Sequence, residues 1–229
     1  MASKSPRKAV ATIGEGSRLN DQAYSRILEI LFDRKLPAGA FVSQAQLVEL
    51  TGVPVGPLRD ALRVLAAEGV LTIHPSTGIQ FVKPGMELTR STFQFRTIIE
   101  SAAVAVYAET GPEAQMEEIA RRHKLAEATI EREGLTTGNV GVLEELEELL
   151  HGAIVSSLNN PLIDTSYRRI RNYLRLLRLD RKLTAPLALR SLREHNLIID
   201  ACRNRNVDVA VAALQSHFAA ALQRSLGLY

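Results

Sequence analysis

Apolar residues recur at helical spacing along most of the chain, broken by short clusters of Gly, Pro and Asn. Over residues 20–34, Ile27, Leu28, Ile30, Leu31 and Phe32 form a broad apolar face, which predicts an amphipathic helix. Asn20 or Asp21 is placed to cap its start, and Leu36-Pro37-Ala38-Gly39 ends it. Ser43 opens a short helix carrying Leu47, Val48 and Leu50, and Gly52 follows as a residue that tolerates a left-handed turn. Pro54 opens a third helix, where its missing N–H has no partner to lose. That helix runs to about Glu68, with Leu58, Ala61, Leu62 and Leu65 on one face, and Gly69 closes it. The pattern then changes to two short β-like runs, 70–73 and 79–82, around His74-Pro75-Ser76-Thr77-Gly78, a hairpin turn. Helix, helix, turn, helix, hairpin is the order of a winged helix-turn-helix, which presents its last helix to the DNA major groove.

Lys83-Pro84-Gly85 breaks the pattern and marks a domain boundary. Beyond it the apolar spacing predicts helices over 88–109, 112–133, 143–159, 162–182, 188–203 and 207–226. Gly111-Pro112, the stretch 134–141, Asn159-Asn160-Pro161, Ala185-Pro186 and the stretch 204–206 separate them. Short connections favour antiparallel neighbours. The expected fold is therefore mainly α: a winged helix-turn-helix over 20–84 and a six-helix antiparallel bundle over 85–229.

Composition narrows the setting. With 229 residues, 46% of them hydrophobic, the chain is long enough for two cores. Cys202 is the single cysteine, which excludes a disulfide framework and fits a reducing compartment. No apolar run approaches the ~18 residues of a membrane span, and residues 1–7 are too polar for a signal-peptide core. A soluble cytoplasmic protein with no membrane partner is expected. The formal charge of +3 lies wholly in residues 1–19, where Lys4, Arg7, Lys8 and Arg18 face only Glu15. This stretch reads as a flexible basic tail, either a solubiliser or an arm that touches phosphates. Farther on, an acidic cluster (Glu144, Glu145, Glu147, Glu148) and a basic run from Arg168 to Lys182 read as solvated helix faces.

The five histidines carry the candidate chemistry. His74 falls in the hairpin, and His123, within Arg121-Arg122-His123-Lys124, is expected on a solvated face. His151 lies one helical turn after Glu147, so both can meet one ion. His195 and His217 lie on two further helices among apolar neighbours. Three imidazoles and a carboxylate form a donor set for a divalent metal; the alternative is a buried polar network bridged by water.

The run Leu36-Pro37-Ala38-Gly39, Leu47, Gly52-Val53-Pro54-Val55-Gly56-Pro57-Leu58-Arg59-Asp60-Ala61-Leu62, Leu65, Glu68-Gly69-Val70-Leu71 resembles the GntR family of bacterial transcription regulators over about 45 residues. The resemblance implies DNA contacts from Arg59 and, at the wing, from Ser76, Thr77 and Gly78; Arg63, one helical turn on from Arg59, is the next candidate for a phosphate or base contact. This chain departs from the family pattern with Pro54-Val55-Gly56 in place of Ser-Arg-Thr, Asp60 in place of Glu and Ala45 in place of an Arg. Val55 cannot reach a base or phosphate as Arg does. Exposed backbone N–H groups near Gly56 can still hold a phosphate. For Arg59 the alternative is a pairing within the chain, with Asp60 or Asp33; for Ser76, Thr77 and Gly78 it is a good hairpin turn.

The segments Arg96-Thr97-Ile98-Ile99-Glu100, Glu147 to Ile154, Asn159-Asn160-Pro161-Leu162, Glu194-His195 and His217 resemble the all-helical effector (FCD-type) domain of the FadR subfamily. Six helices resemble its VanR-like branch. The resemblance implies a metal held by Glu147, His151, His195 and His217, with Glu147 in place of an Asp. Zinc is the expected ion, with nickel and manganese as alternatives. It also implies a small carboxylate effector docked near the metal against arginine. Arg96 is the matched residue, with a salt bridge to Glu100 as the other reading; Arg171 and Arg175 are further candidates.

The resulting expectation is a metabolite-responsive transcriptional repressor. It dimerises through the helical domain, binds a pseudo-palindromic double-stranded operator and alters that binding when the effector docks and changes the spacing of the two heads. A metal-sensing regulator is the second reading. A metal-dependent hydrolytic enzyme is the weakest, since the chain has no P-loop, G-x-S-x-G or HExxH pattern and no placed general base.

Overall fold

The computed structural model describes residues 13–179 and 183–228. Contacts divide the chain into two compact units, separated between Lys83 and Pro84.

The first unit opens with α1 (Ile13–Phe32). Its buried side includes Ala23, Ile27, Ile30 and Leu31, which pack against the later helices of the unit. The helix starts well before the expected caps, so Asn20 and Asp21 lie inside it. The preference of Asn and Asp for a cap is worth only about 1 kcal/mol. Residues 13–19 are therefore helical rather than part of a flexible tail, while residues 1–12 lie outside the described residues.

Strand β1 (Phe41–Val42) leads into α2 (Gln44–Thr51) and α3 (Val55–Ala67). Ser43 and Gln46 form a reciprocal capping box at the start of α2, and Gly52 ends it at φ +67°. Pro54 stands at the N-cap of α3, with Leu58, Ala61, Leu62 and Leu65 buried beneath it. The wing is β2 (Leu71–His74) and β3 (Gly78–Phe81), paired antiparallel. Strand β1 pairs with the other edge of β3, Phe41 opposite Gln80. Two residues are too few for a period-2 signal, which is why the sequence pattern misses β1. Gly78 is required by this pairing: its φ is +155°, and a Cβ there would lie 2.7 Å from the Phe41 ring and 2.8 Å from the Val42 carbonyl oxygen.

The second unit is helical throughout its described residues: α4 (Met86–Thr110), α5 (Glu113–Glu133), α6 (Thr137–Ser156), α7 (Pro161–Leu179), α8 (Ala185–Arg203) and α9 (Val207–Ser225). Helix α9 lies against α4 and α8, and α5 against α8 and α6. Ala126, Ile130, Leu146, Ala188 and Leu192 form a core shared by α5, α6 and α8. Helix α6 begins six residues before the expected start, inside the Gly-containing stretch 134–141. A capping box between Thr136 and Asn139 nucleates it there, outweighing the helix-weakening Gly138 and Gly141.

Candidate metal centre and nucleic-acid interface

Helix α4 turns an unusual face inward. Arg96 and Glu100, one turn apart, are both fully buried, with Thr89 and Thr92 on the same side. The Arg96 Nε donates to Glu100 Oε1 at 2.6 Å, and its guanidinium lies 4.4 Å from the Phe218 ring centre. Tyr167 on α7 donates its hydroxyl to the same Glu100 oxygen at 3.1 Å. A buried charge without partners would be strongly unfavourable, so this helix face is built around its neighbours' polar groups.

Next to this pair, four side chains converge from three helices. Glu147 and His151 come from α6, His195 from α8 and His217 from α9, with one potential ligand atom of each within 4.8 Å of all the others. The three imidazoles are buried. Each has its outer nitrogen engaged. His151 Nδ1 contacts Glu100 Oε2 at 2.6 Å, and His217 Nδ1 contacts Glu194 Oε2 at 2.8 Å. A carboxylate can only accept, so both Nδ1 atoms carry a proton, and in a neutral ring Nε2 then keeps its lone pair. His195 Nδ1 faces His123 Nε2 at 3.3 Å. The Nε2 atoms of His151 and His195 are buried without a hydrogen-bond partner, each 3.6 Å from a Glu147 oxygen. Buried polar atoms left bare in this way are rare, and a cation among them would satisfy them at once.

Electrostatics favours neutral rings at His195, His217 and His123. Burial pushes His195 well below the ordinary imidazole range and lowers His217 and His123 as well. Glu147 is opposed by burial, but Arg178, His151 and Arg96 together hold it well below the usual carboxylate range. Glu194 likewise overcomes burial through His217 and Arg224 and is drawn down to about 2. Neutral imidazoles beside ionised carboxylates are the forms that ligate a metal.

Most of the expected residues of this centre meet here, but two expectations, the solvated faces of His123 and Arg178, are corrected. His123 is not on a solvated face: it is fully buried, with Nδ1 2.8 Å from the Ile119 carbonyl oxygen. Neighbouring charges at 121, 122 and 124 hid this, because one helical position can face inward between three that face out. Arg175 is exposed, and Arg171 forms an ion pair with Glu148. Arg178, from the run read as a solvated face, instead reaches Glu147 Oε1 at 2.8 Å, where Arg96 also donates at 3.3 Å. Periodicity cannot reveal which member of an arginine run turns inward. The anchors Glu100 and Glu194 left only a faint trace, as carboxylates at helical spacing from Arg96 and beside His195.

In the first unit, Gly56 and Arg59 are exposed on α3. Helix α3 has no side-chain cap, so its first N–H groups remain available near Gly56. Arg63 pairs with Asp60 at 2.9 Å on the exposed side of α3. At the wing tip Ser76 is exposed with φ +59°, and Thr77 donates its hydroxyl to the Pro75 carbonyl at 3.1 Å. His74 contacts Gln80 at 3.0 Å, a cross-strand bond within the wing.

Residues 19–81 match the family model described as bacterial regulatory proteins, gntR family, and residues 91–220 match the FCD domain. The HTH-type transcriptional regulator YdhC of Bacillus subtilis (strain 168) is 22% identical over 86% of this chain and 86% of its own. Among solved structures, E. coli McbR/YncC matches with a TM-score of 0.73 at 17% identity, covering 92% of this chain and 98% of that one. The metal-free FCD domain of TM0439 matches 64% of this chain and 99% of its own, with a TM-score of 0.50 at 22% identity. Among the described residues no helix is long and apolar enough to cross a membrane. The chain belongs to the gntR family of bacterial regulatory proteins and carries an FCD effector domain, which makes it a transcription regulator rather than an enzyme.

Proposed function

We propose that this regulator is a cytoplasmic, homodimeric repressor whose helical unit binds a divalent metal and a small carboxylate effector. The observation that carries this reading is the pair of bare, buried Nε2 atoms facing Glu147. Glu147, His151, His195 and His217 would hold the ion. Zinc suits a compact donor set of imidazole and carboxylate, and nickel or manganese are alternatives. The ion would supply concentrated positive charge. Around the centre Arg96, Arg178 and Arg224, joined by Arg190 at Glu194, already at least balance Glu100, Glu147 and Glu194. A divalent ion added to that balance leaves a positive excess, which favours an anionic partner such as an organic acid. Arg178, about a third exposed, is better placed to meet it than the fully buried Arg96.

The DNA partner is double-stranded, with a pseudo-palindrome matching the two-fold symmetry of a dimer. The α3 N-terminus at Gly56, Arg59, Arg63 and the wing tip at Ser76, Thr77 and Gly78 would form the contacts. Domain limits near 20–84 and 85–229 follow the same reading. Effector binding changes operator affinity only by preferring one of two arrangements of the dimer.

The test uses the full chain, stripped of metal and titrated with zinc, nickel and manganese. It is then melted with a panel of small carboxylic acids, with and without the metal. Saturable binding of one ion per chain and an acid-induced rise in melting temperature are expected. A band shift on the DNA upstream of its own coding sequence is expected to weaken with that acid. Absence of metal binding overturns the centre, and absence of any shift at low salt overturns the operator reading. If chelation alone abolishes the shift and no acid has an effect, the metal itself is the signal.

A further inference from the structure

The three histidines of the centre are not anchored alike. His151 and His217 bond carboxylates, Glu100 and Glu194. His195 instead faces a fourth, fully buried imidazole, His123, on α5, a helix that contributes none of the four converging groups. The geometry of His123 leaves little freedom. Its Nδ1 lies 2.8 Å from the Ile119 carbonyl oxygen, one turn back on the same helix. A carbonyl only accepts, so Nδ1 carries the proton. A ring with one proton then has Nε2 as an acceptor, and that atom points at His195 Nδ1.

We infer that His123 is a positioning residue that relays the Ile119 carbonyl to His195, fixing its proton on Nδ1 and its Nε2 lone pair toward Glu147. This rests on the metal centre proposed above. Without the relay His195 is free to carry its proton on Nε2. That proton would point at the Glu147 oxygen 3.6 Å away and block ligation from this ring. On the inner edge the group facing Nε2 is the Glu147 carboxylate, which by itself would draw the proton to that side, so the His123 acceptor is what holds it on Nδ1. The two rings meet edge to face at 5.4 Å between centres, a packing that a phenyl ring preserves while removing the acceptor.

The relay separates two variants. His123→Phe keeps an aromatic ring but accepts no hydrogen bond. His123→Gln loses the ring but keeps a carbonyl oxygen able to accept from His195. Two readouts are taken on the full chain. One is zinc affinity, by competition with a chromophoric chelator. The other is the tautomer of His195 in metal-free protein, from long-range nitrogen–proton NMR correlations of the imidazoles. Losing an outer-shell partner typically weakens metal binding 10–100-fold, and a loss of about that size is expected for His123→Phe. His195 is expected as the Nδ1–H tautomer in the wild type and as a mixture in His123→Phe. His123→Gln is expected to restore the tautomer and most of the affinity.

An Nε2–H tautomer of His195 in the wild type overturns the relay. So does a His123→Phe variant that binds zinc as tightly as the wild type. If His123→Phe fails to fold, the wild-type spectrum and the His123→Gln variant decide the question in the same way. If the wild type binds no metal, the proposed centre fails, while the tautomer measurement still supports or overturns the relay.

Discussion

Replacing Arg96 by leucine tests whether the polar interior of the helical unit is held by charge pairing. In the wild type the guanidinium bonds Glu100 at 2.6 Å, reaches Glu147 at 3.3 Å and lies over Phe218, all away from water. Arg96→Leu leaves Glu100 ionised and fully buried. Breaking a buried pair in this way commonly removes 3–5 kcal/mol. Glu100 keeps two donors, His151 at 2.6 Å and Tyr167 at 3.1 Å, so the low end, about 3 kcal/mol, is expected. For a chain of this size that corresponds to a melting temperature lower by roughly 6–12 °C. The pH dependence supplies the sharper readout. In the wild type Arg96 and His151 outweigh burial and hold the Glu100 carboxyl below 4.5. Its contribution is thus present above that value and lost as pH falls through the folded one. In Arg96→Leu burial acts with less opposition and the carboxyl rises. Neutralising it by acidification to about pH 5 relieves part of the loss. The double variant Arg96→Leu/Glu100→Gln, which removes the stranded charge, is expected to regain at least about 1 kcal/mol. Thermal unfolding followed by circular dichroism measures all three proteins. A loss below about 1 kcal/mol, or one that does not change with pH or with Glu100→Gln, would refute the reasoning.

Further outcomes follow from other parts of the molecule. Gly78→Ala forces a methyl group to within 2.7 Å of the Phe41 ring at φ +155°. It is expected to destabilise the chain by about 2 kcal/mol in urea unfolding, and wild-type stability would show that the wing tolerates the strain. Glu194, held at about 2 against an ordinary 4.5, stabilises the fold above pH 4.5 and loses that contribution as pH falls toward 2. Glu194→Gln is therefore expected to flatten the acid limb of the stability profile in that window, and an unchanged limb would contradict it. Arg59→Ala is expected to weaken operator binding. If Arg59 touches a phosphate, the salt slope falls by about 0.9. If it reads a base edge, discrimination against non-specific DNA falls by about 1–3 kcal/mol instead. No change in either by fluorescence anisotropy removes Arg59 from the interface.

Local patterns carried much of this protein. Helical spacing of apolar residues marked the nine described helices, and the end signals at Ser43, Gly52 and Pro54 lie where those residues cap or bound α2 and α3. These features depend on neighbours three or four positions away, which the linear order contains. Even the start of the centre was visible this way, since Glu147 and His151 share one turn. Local signals also misled: Asn20 and Asp21 cap well in isolation but lie inside α1, and Gly138 weakens a helix that the Thr136–Asn139 capping box nevertheless starts.

Tertiary structure alone decided which polar groups face inward and what they meet. His123 and His195 are 72 positions apart, and His151 and Glu100 are 51 apart. Arg178 is one arginine in a run of similar neighbours, yet it reaches Glu147 while Arg175 stays exposed. Hydrophobic burial sets where each helix lies and rewards apolar area without regard to direction. Hydrogen bonds are directional and require a partner at a definite place. The sequence by itself thus determined helices, wing and the residue types of a candidate metal site. Only packing decided which nitrogen of each imidazole is bonded, and therefore which lone pairs are left to meet an ion.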